Sequence, residues 1–89
     1  MAIADYLNRG QGNAVPLRQL VAITGLDNRS VRKQIAEERK SGTPILSDNA
    51  SGYYLPGNDM ERAQFVRSMR SRAREILKAA SAVEKGDKK

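Results

Sequence analysis

The sequence contains neither cysteine nor histidine. It therefore cannot form disulfides, use a thiolate nucleophile or an imidazole base, or supply the usual ligands of structural zinc. The carboxylates of Asp5, Asp27 and Asp48 have no spacing typical of a catalytic pair or a metal cage. We expect a protein that is not an enzyme and that carries no metal or other cofactor.

Long apolar runs are also missing. The first ten residues include Asp5 and no apolar stretch of the length that a signal peptide or a membrane span requires. A membrane-surface helix is disfavoured because Phe65 is the one aromatic residue of the C-terminal region. With 89 residues, the chain has little room for a deep cavity. We expect a cytoplasmic protein with no membrane partner and no small-molecule ligand.

The net charge is positive. Sixteen Lys and Arg residues against ten Asp and Glu residues give a formal charge of +6. Such a balance favours polyanionic partners such as nucleic acid. Because net charge does not name a partner, the positions of the cations along the chain matter more than their number.

The start of the chain has the pattern of two short helices. Apolar residues at i, i+3 and i+4 predict a first helix over residues 3–8. A second helix begins near Pro16, whose missing N–H suits a first helical turn, and ends at Gly25. Residues 14–15 are too few for a strand on their own but could pair with a later hairpin.

A third helix and a hairpin follow. Asp27 is placed to cap a helix that runs to about Ser41, because its carboxylate can accept a hydrogen bond from the first turn. Residues 44–46 and 53–55 are short β-prone runs on either side of a polar, glycine-containing loop. They predict a two-stranded hairpin.

A long helix is predicted next, because Asn58 and Glu61 have capping-box spacing and the segment from Asn58 to Lys85 contains no helix breaker. An apolar stripe with 3-4 spacing runs along this helix and consists of Val66, Met69, Ala73, Ile76, Ala80 and Val83. The stripe could fold back onto the protein or pair with a second subunit. We favour a homodimer, because about 40 Å of helix is more than a small domain covers.

Long cations gather on one side of the third helix. Val31 and Ile35 point to one side at 100° per residue, and the cations point to the other, where they could reach phosphates and base edges. The candidate DNA-binding residues are Asn28, Arg29, Ser30, Arg32, Lys33, Gln34 and Lys40 on the helix and Asn49 and Ser51 in the hairpin loop. The alternative is a solvated helix face on which Lys33 pairs with Glu37.

An ordered set of residues carries a resemblance to a known family. The set is Leu20, Gly25-Leu26, Asp27, Val31, Lys33, Ile35, Arg39, Gly42 and Gly52-Tyr53 followed by Leu55-Pro56. It resembles a winged helix-turn-helix domain and is most similar to the N-terminal DNA-binding domain of the biotin ligase repressors. The resemblance implies that residues 28–40 enter the major groove and that the hairpin is a wing touching DNA backbone or minor groove. It does not extend to biotin chemistry, because these 89 residues include no ligase domain.

Glu38 departs from this family, which usually has leucine there. Its position shares the buried side of the helix with Val31 and Ile35, and an unpaired carboxylate would be costly in that place. We expect Glu38 to pair with an arginine of the C-terminal helix, either Arg67, Arg70 or Arg74.

The predicted fold is mainly α with a small β-hairpin wing: a winged helix-turn-helix plus a long C-terminal helix. We expect a DNA-binding domain over residues 1–57, an amphipathic dimerisation or packing helix over 58–85 and a disordered tail over 86–89. The expected function is sequence-specific binding of double-stranded DNA, as a small transcriptional regulator or a phage-like mobile-element protein. The alternative is a winged helix scaffold that binds an acidic partner through its C-terminal helix.

Overall fold

The structure is a computed structural model that describes residues 2–87. Its elements are two 3₁₀ helices (Ile3–Tyr6 and Gln11–Asn13), α1 (Leu17–Thr24), α2 (Asn28–Lys40), β1 (Leu46–Asp48), β2 (Gly52–Tyr54) and α3 (Asp59–Lys85). The prediction of a mainly helical fold with one hairpin and a long C-terminal helix is confirmed. Of the tail predicted over 86–89, residues 88–89 lie outside the described part. No helix within that part has the length and apolarity needed to cross a bilayer.

Local chemistry sets the helix ends. The Asp27 carboxylate accepts a hydrogen bond from the Ser30 N–H at 2.8 Å, and the Asn58 side chain accepts one from the Glu61 N–H at 2.8 Å. Gly25 ends α1 with φ +75°, a left-handed conformation that glycine adopts without steric cost. The predicted beginnings of α2 and α3 are thereby confirmed.

The first helix is shorter than predicted. Instead of a helix over residues 3–8, a single 3₁₀ turn spans Ile3–Tyr6 and the chain then extends. The Leu55 N–H donates to the Asn8 carbonyl at 2.8 Å, and the Gly10 N–H donates to the Leu55 carbonyl at 2.8 Å. Backbone groups that pair with Leu55, directly after β2, cannot also continue a helix.

The expected ion pair between Glu38 and an arginine of α3 is wrong. Glu38 is buried, with 8% of its surface exposed, and it lies under the first 3₁₀ helix. Its carboxylate accepts hydrogen bonds from the N–H groups of Ile3 at 2.7 Å and Ala4 at 3.0 Å and from the Gln34 amide at 3.0 Å. The first N–H groups of a helix have no partner within it, so they satisfy the buried carboxylate.

The core lies between the first 3₁₀ helix, α1, α2 and the approach to β1. Its largest fully buried side chains are Ile3, Leu20, Val31, Ile35 and Ile45. Their contacts hold the two helices and the N-terminal segment in one unit.

The hairpin is extended by a third segment. β1 and β2 are antiparallel, with Leu46 opposite Tyr54, and Val15 forms an antiparallel bridge to Tyr53 on the other side of β2. The two hydrogen bonds of this bridge measure 2.7 and 2.9 Å. The predicted pairing of residues 14–15 with the hairpin is therefore confirmed, and it places the start of α1 beside the hairpin.

Most of α3 extends away from the rest of the protein. Phe65 and Glu61 are the two residues of this helix that are not exposed, whereas Ile76 is 67% and Val83 is 80% exposed. The Arg39 guanidinium lies 5.0 Å from the centre of the Phe65 ring, where α3 meets α2. The interpretation in which the apolar stripe folds back onto the protein is therefore wrong for the distal turns.

Replacement of Glu38 by alanine is expected to lower the free energy of unfolding by about 1–3 kcal/mol, because the buried Ile3 N–H would lose its acceptor. The matched control is Glu37→Ala on the exposed side of α2, for which we expect a change within about 0.5 kcal/mol. Urea denaturation followed by circular dichroism measures both variants. Equal stability of the two would contradict the role given to Glu38.

Substitution of Gly52 by alanine is expected to destabilise the protein by about 1–3 kcal/mol. Gly52 has φ +113°, and an added Cβ would lie 2.4 Å from the Val15 carbonyl oxygen. At Gly12 an added Cβ meets nothing within 4 Å, so Gly12→Ala serves as the control and should leave the stability nearly unchanged. Thermal unfolding midpoints compare the variants, and an unchanged midpoint for Gly52→Ala would refute the close approach.

Candidate nucleic-acid interface

One side of α2 is free of the protein body. Val31, Ile35 and Glu38 are buried on the inner side of this helix. The exposed residues of the outer side, which we call the α2 face, are Asn28, Arg29, Ser30, Arg32, Lys33, Ala36, Glu37 and Lys40, with Glu37 as the one acidic member. Six of the seven helix residues predicted as contacts are thus brought together on one exposed surface.

The cations of the α2 face have no carboxylate partner within residues 2–87. The ion pair in this part of the chain joins Lys78 and Glu75 on α3 at 3.7 Å, and both side chains are exposed. The pairing of Lys33 with Glu37, which was one part of the alternative interpretation, is not formed there. The charge of this face is therefore available to an anionic ligand.

Two of the predicted contact residues have internal partners. Gln34 is half-buried and its amide nitrogen donates to Glu38, so this side chain turns toward the body at the edge of the α2 face. The hydroxyl and the N–H of Ser30 bond to Asp27 and lower the pKa of that carboxyl. Ser30 therefore donates to the N-cap residue Asp27 at the same time as it lies on the α2 face.

The hairpin loop presents polar groups, and the acidic side chain of Asp48 at its start is engaged in hydrogen bonds. Asn49 is exposed and Ser51 is half-buried. The Asp48 carboxylate accepts hydrogen bonds from the Ala50 N–H at 2.8 Å, from the Ser51 N–H and from the Gln11 amide. These donors partly neutralise the negative charge of Asp48. Asn49, at the tip of the loop, stays exposed.

A cleft between α1, α2 and the hairpin adds a cation that the sequence analysis missed. Arg18 lies in the first turn of α1 and lines this cleft together with Arg32 and the loop from β1 to β2. The bridge between Val15 and Tyr53 holds that turn beside the hairpin. The available signal was a cation two residues after the helix-starting Pro16, but its proximity to the loop depends on long-range pairing.

A second cation flanks the hairpin on its other side. Arg72 and Ser68 of α3 line a shallow cleft with Ser47, Asp48 and Asn49. The hairpin loop thus lies between Arg18 and Arg32 on one side and Arg72 on the other.

Arg39 has a structural role instead. It is half-buried, and its guanidinium donates to the Ile45 carbonyl at 2.7 Å and to the Ser47 hydroxyl at 3.2 Å. Its face also rests on the Phe65 ring, and burial lowers the pKa of Arg39. This one side chain joins α2, β1 and α3.

The surface of α3 divides into two sides. The large apolar side chains predicted for dimerisation are 38–80% exposed, from Val66 through Met69 and Ile76 to Val83, and the small Ala73 and Ala80 are exposed between them. A shallow groove beside the stripe is lined by four cations, Arg62, Arg67, Arg70 and Arg74, together with Asp59, Ala63 and Val66. The apolar stripe is therefore available to a partner.

Comparison of the chain with protein-family models, with curated proteins and with solved structures found no match. Within residues 2–87, no three potential metal ligands lie close enough together to hold an ion.

Acidification is expected to loosen the hairpin loop. Hydrogen bonds from Ser51 and then Gln11 hold the pKa of Asp48 below its ordinary value of 3.8. The carboxylate's stabilising effect is therefore complete above that value and is lost as the pH falls through the lower pKa of the folded state.

The amide NMR signals of Ala50 and Ser51 report this titration, and their midpoint should lie below 3.8. The Asp48→Asn variant, which has no titrating carboxyl, should not show it. A midpoint at or above the ordinary value would contradict the proposed hydrogen bonding.

Proposed function

We propose that this protein binds double-stranded DNA sequence-specifically and that residues 1–57 act as a winged helix-turn-helix domain. In this proposal α2 is the recognition helix and the hairpin is the wing. The observation that carries the proposal is the α2 face, whose cations are exposed and free of carboxylate partners within residues 2–87.

The α2 face has the chemistry needed to enter a major groove. Arg29, Arg32 and Lys33 lie in its first turns, from which arginine can form bidentate hydrogen bonds with guanine and lysine can reach bases or phosphates. Ala36 follows at the centre of the face, where a small side chain allows close approach to the groove. Lys40, one turn further, is assigned to a phosphate.

The wing and the cleft beside it would bind the sugar-phosphate backbone. We assign Asn49 and Ser51 of the loop and Ser30 of α2 to phosphate oxygens, and we add Arg18 to this set. Such contacts fix the position of the domain on the duplex, whereas the side chains of α2 read the bases.

The same proposal retains the resemblance to the DNA-binding domain of the biotin ligase repressors and a homodimer formed through α3. Two domains related by a two-fold axis would bind two half-sites separated by about one helical turn of DNA or a multiple of it. A small regulator of transcription or a mobile-element protein would act in this way.

A second candidate is a scaffold that binds an acidic partner through α3. The observation that favours it is the exposed groove lined by Arg67, Arg70 and Arg74. Like charges spaced three and four residues apart repel one another on a helix, so a polyanionic partner would stabilise this surface.

The DNA proposal is tested by fluorescence anisotropy with a duplex selected by the purified protein from a random pool. Affinity should fall steeply between about 50 and 200 mM salt, because binding releases counterions from the phosphates. Arg29→Ala with Lys33→Ala should weaken binding by at least about tenfold and reduce the slope against log salt by about two for each protomer bound.

The matched control is Arg67→Ala with Arg74→Ala, which removes the same charge from α3. It should retain most of the affinity for the selected duplex. Equal losses in the two double variants would indicate binding through net charge alone. Full affinity in the variant of α2, with loss in the variant of α3, would refute the proposed recognition helix and favour α3 as the binding surface.

A further inference from the structure

From Met69 onward, the exposed stripe of α3 alternates large and small side chains: Met69, Ala73, Ile76, Ala80 and Val83. With heptad spacing, the stripe has two core positions, which hold Val66, Ala73 and Ala80 in one case and Met69, Ile76 and Val83 in the other. Beyond Met69 both positions are exposed. The order of these side chains distinguishes one way of pairing two copies of the helix from another.

We propose that two copies of this chain pair through α3 in an antiparallel arrangement, with Leu77 of each copy at the two-fold axis. This inference rests on the homodimer of the proposed function and specifies its geometry. It does not require that the protein bind DNA.

Side-chain size favours the antiparallel direction. In a parallel pair each core residue meets its own counterpart, so Ala73 would face Ala73 and Ile76 would face Ile76. Layers of two small residues leave gaps, and neighbouring layers of two large ones crowd the interface. In the antiparallel register proposed, Ala73 faces Val83 and Ile76 faces Ala80, so each small side chain packs against a larger one.

Charge selects the register. Arg70, Leu77 and Glu84 are seven residues apart and therefore lie along one edge of the stripe. With Leu77 at the axis, Arg70 of each copy lies opposite Glu84 of the other, which gives two equivalent ion pairs. In a parallel pair Leu77 would instead lie beside Arg72 of the other copy and Glu84 beside Ala79, so Glu84 would form no ion pair.

Neither charge of this proposed pair is satisfied within one chain. Arg70 and Glu84 are exposed, and neither has an ion-pair partner among residues 2–87. Leu77, between them, is 69% exposed. An apolar residue flanked by unpaired charges of opposite sign is self-complementary across a two-fold axis.

Symmetry gives the antiparallel pair a further property. Arg67, Arg74 and Lys78 lie on the side of α3 away from Phe65. In the antiparallel pair the two-fold axis is perpendicular to both helices, so a side of α3 that faces along this axis faces the same way in both copies. In a parallel pair the two-fold axis runs along the helices, so the same side of α3 faces opposite directions in the two copies. The antiparallel dimer therefore presents both rows of cations on one side.

The spacing of the two domains also follows from the register. Phe65, where α3 joins the body, is twelve residues from Leu77. At a rise of 1.5 Å per residue, the Phe65 residues of the two copies are about 36 Å apart, measured parallel to the helices. This separation is close to one turn of B-form DNA, which is about 34–36 Å.

The absence of cysteine makes a direct test possible. Leu77→Cys should form a disulfide-linked dimer under mild oxidation without DNA, because the two side chains meet at the axis. Ala73→Cys is the control, since residue 73 meets its counterpart in a parallel pair alone and should stay unlinked. Non-reducing electrophoresis and mass spectrometry identify the products.

A charge-reversal series tests the register without cysteine. Arg70→Glu or Glu84→Arg alone should raise the dimer dissociation constant by about tenfold, because two attractions become two repulsions. The combined variant should restore dimerisation to near the unmodified level. Sedimentation equilibrium measures all four proteins.

The outcomes separate this inference from DNA recognition. Linking at residue 73 but not at 77, linking at neither, or a monomer at all accessible concentrations would overturn the antiparallel pair. Any of these results together with duplex binding that depends on Arg29 and Lys33 would overturn the pairing and leave the proposed recognition helix. Linking at residue 77 without duplex binding would support the dimer and refute the proposed DNA function.

Discussion

The rotation of α2 about its own axis decides which side chains reach solvent, and a buried carboxylate on its inner side restricts that rotation. Val31 and Ile35 supply the apolar contacts of the inner side, but such contacts are non-directional. Glu38 adds direction, because its two oxygens accept hydrogen bonds from Ile3 and Ala4. The outward orientation of the cations is a consequence of burying Val31, Ile35 and Glu38 together, and so the proposed interface depends in part on a carboxylate on the opposite side of α2.

Three elements that carry cations are held relative to one another by specific polar contacts. The bridge from Val15 to Tyr53 fixes the start of α1 against the hairpin. Arg39 fixes the end of α2 against β1 and the start of α3. Because these contacts involve the backbone and a delocalised guanidinium, they define distances more narrowly than apolar packing between the same elements would.

α3 differs from the rest of the protein in leaving most of its apolar side chains exposed. The body buries its own apolar side chains, whereas α3 carries an apolar stripe whose distal residues Ile76, Leu77 and Val83 remain 67–80% exposed. Burial of such surface is the main favourable term in association, so the helix is suited to a partner. Arg67, Arg74 and Lys78 lie on another side of α3, so pairing through the stripe would leave these cations accessible. One helix can therefore serve two contacts.

The sequence by itself determined the local features: the caps at Asp27 and Asn58, the hairpin, the long amphipathic helix and the cationic side of α2. Each depends on residues within one or two turns of one another, so composition and spacing suffice to predict them. Only the tertiary structure decided that Glu38 accepts hydrogen bonds from the first 3₁₀ helix, that this helix is a single turn and that Arg18 lies beside the hairpin loop. The hydrogen bond from Ile3 to Glu38 spans 35 positions of sequence. Partners so distant are selected by how the whole chain packs, which no local pattern encodes.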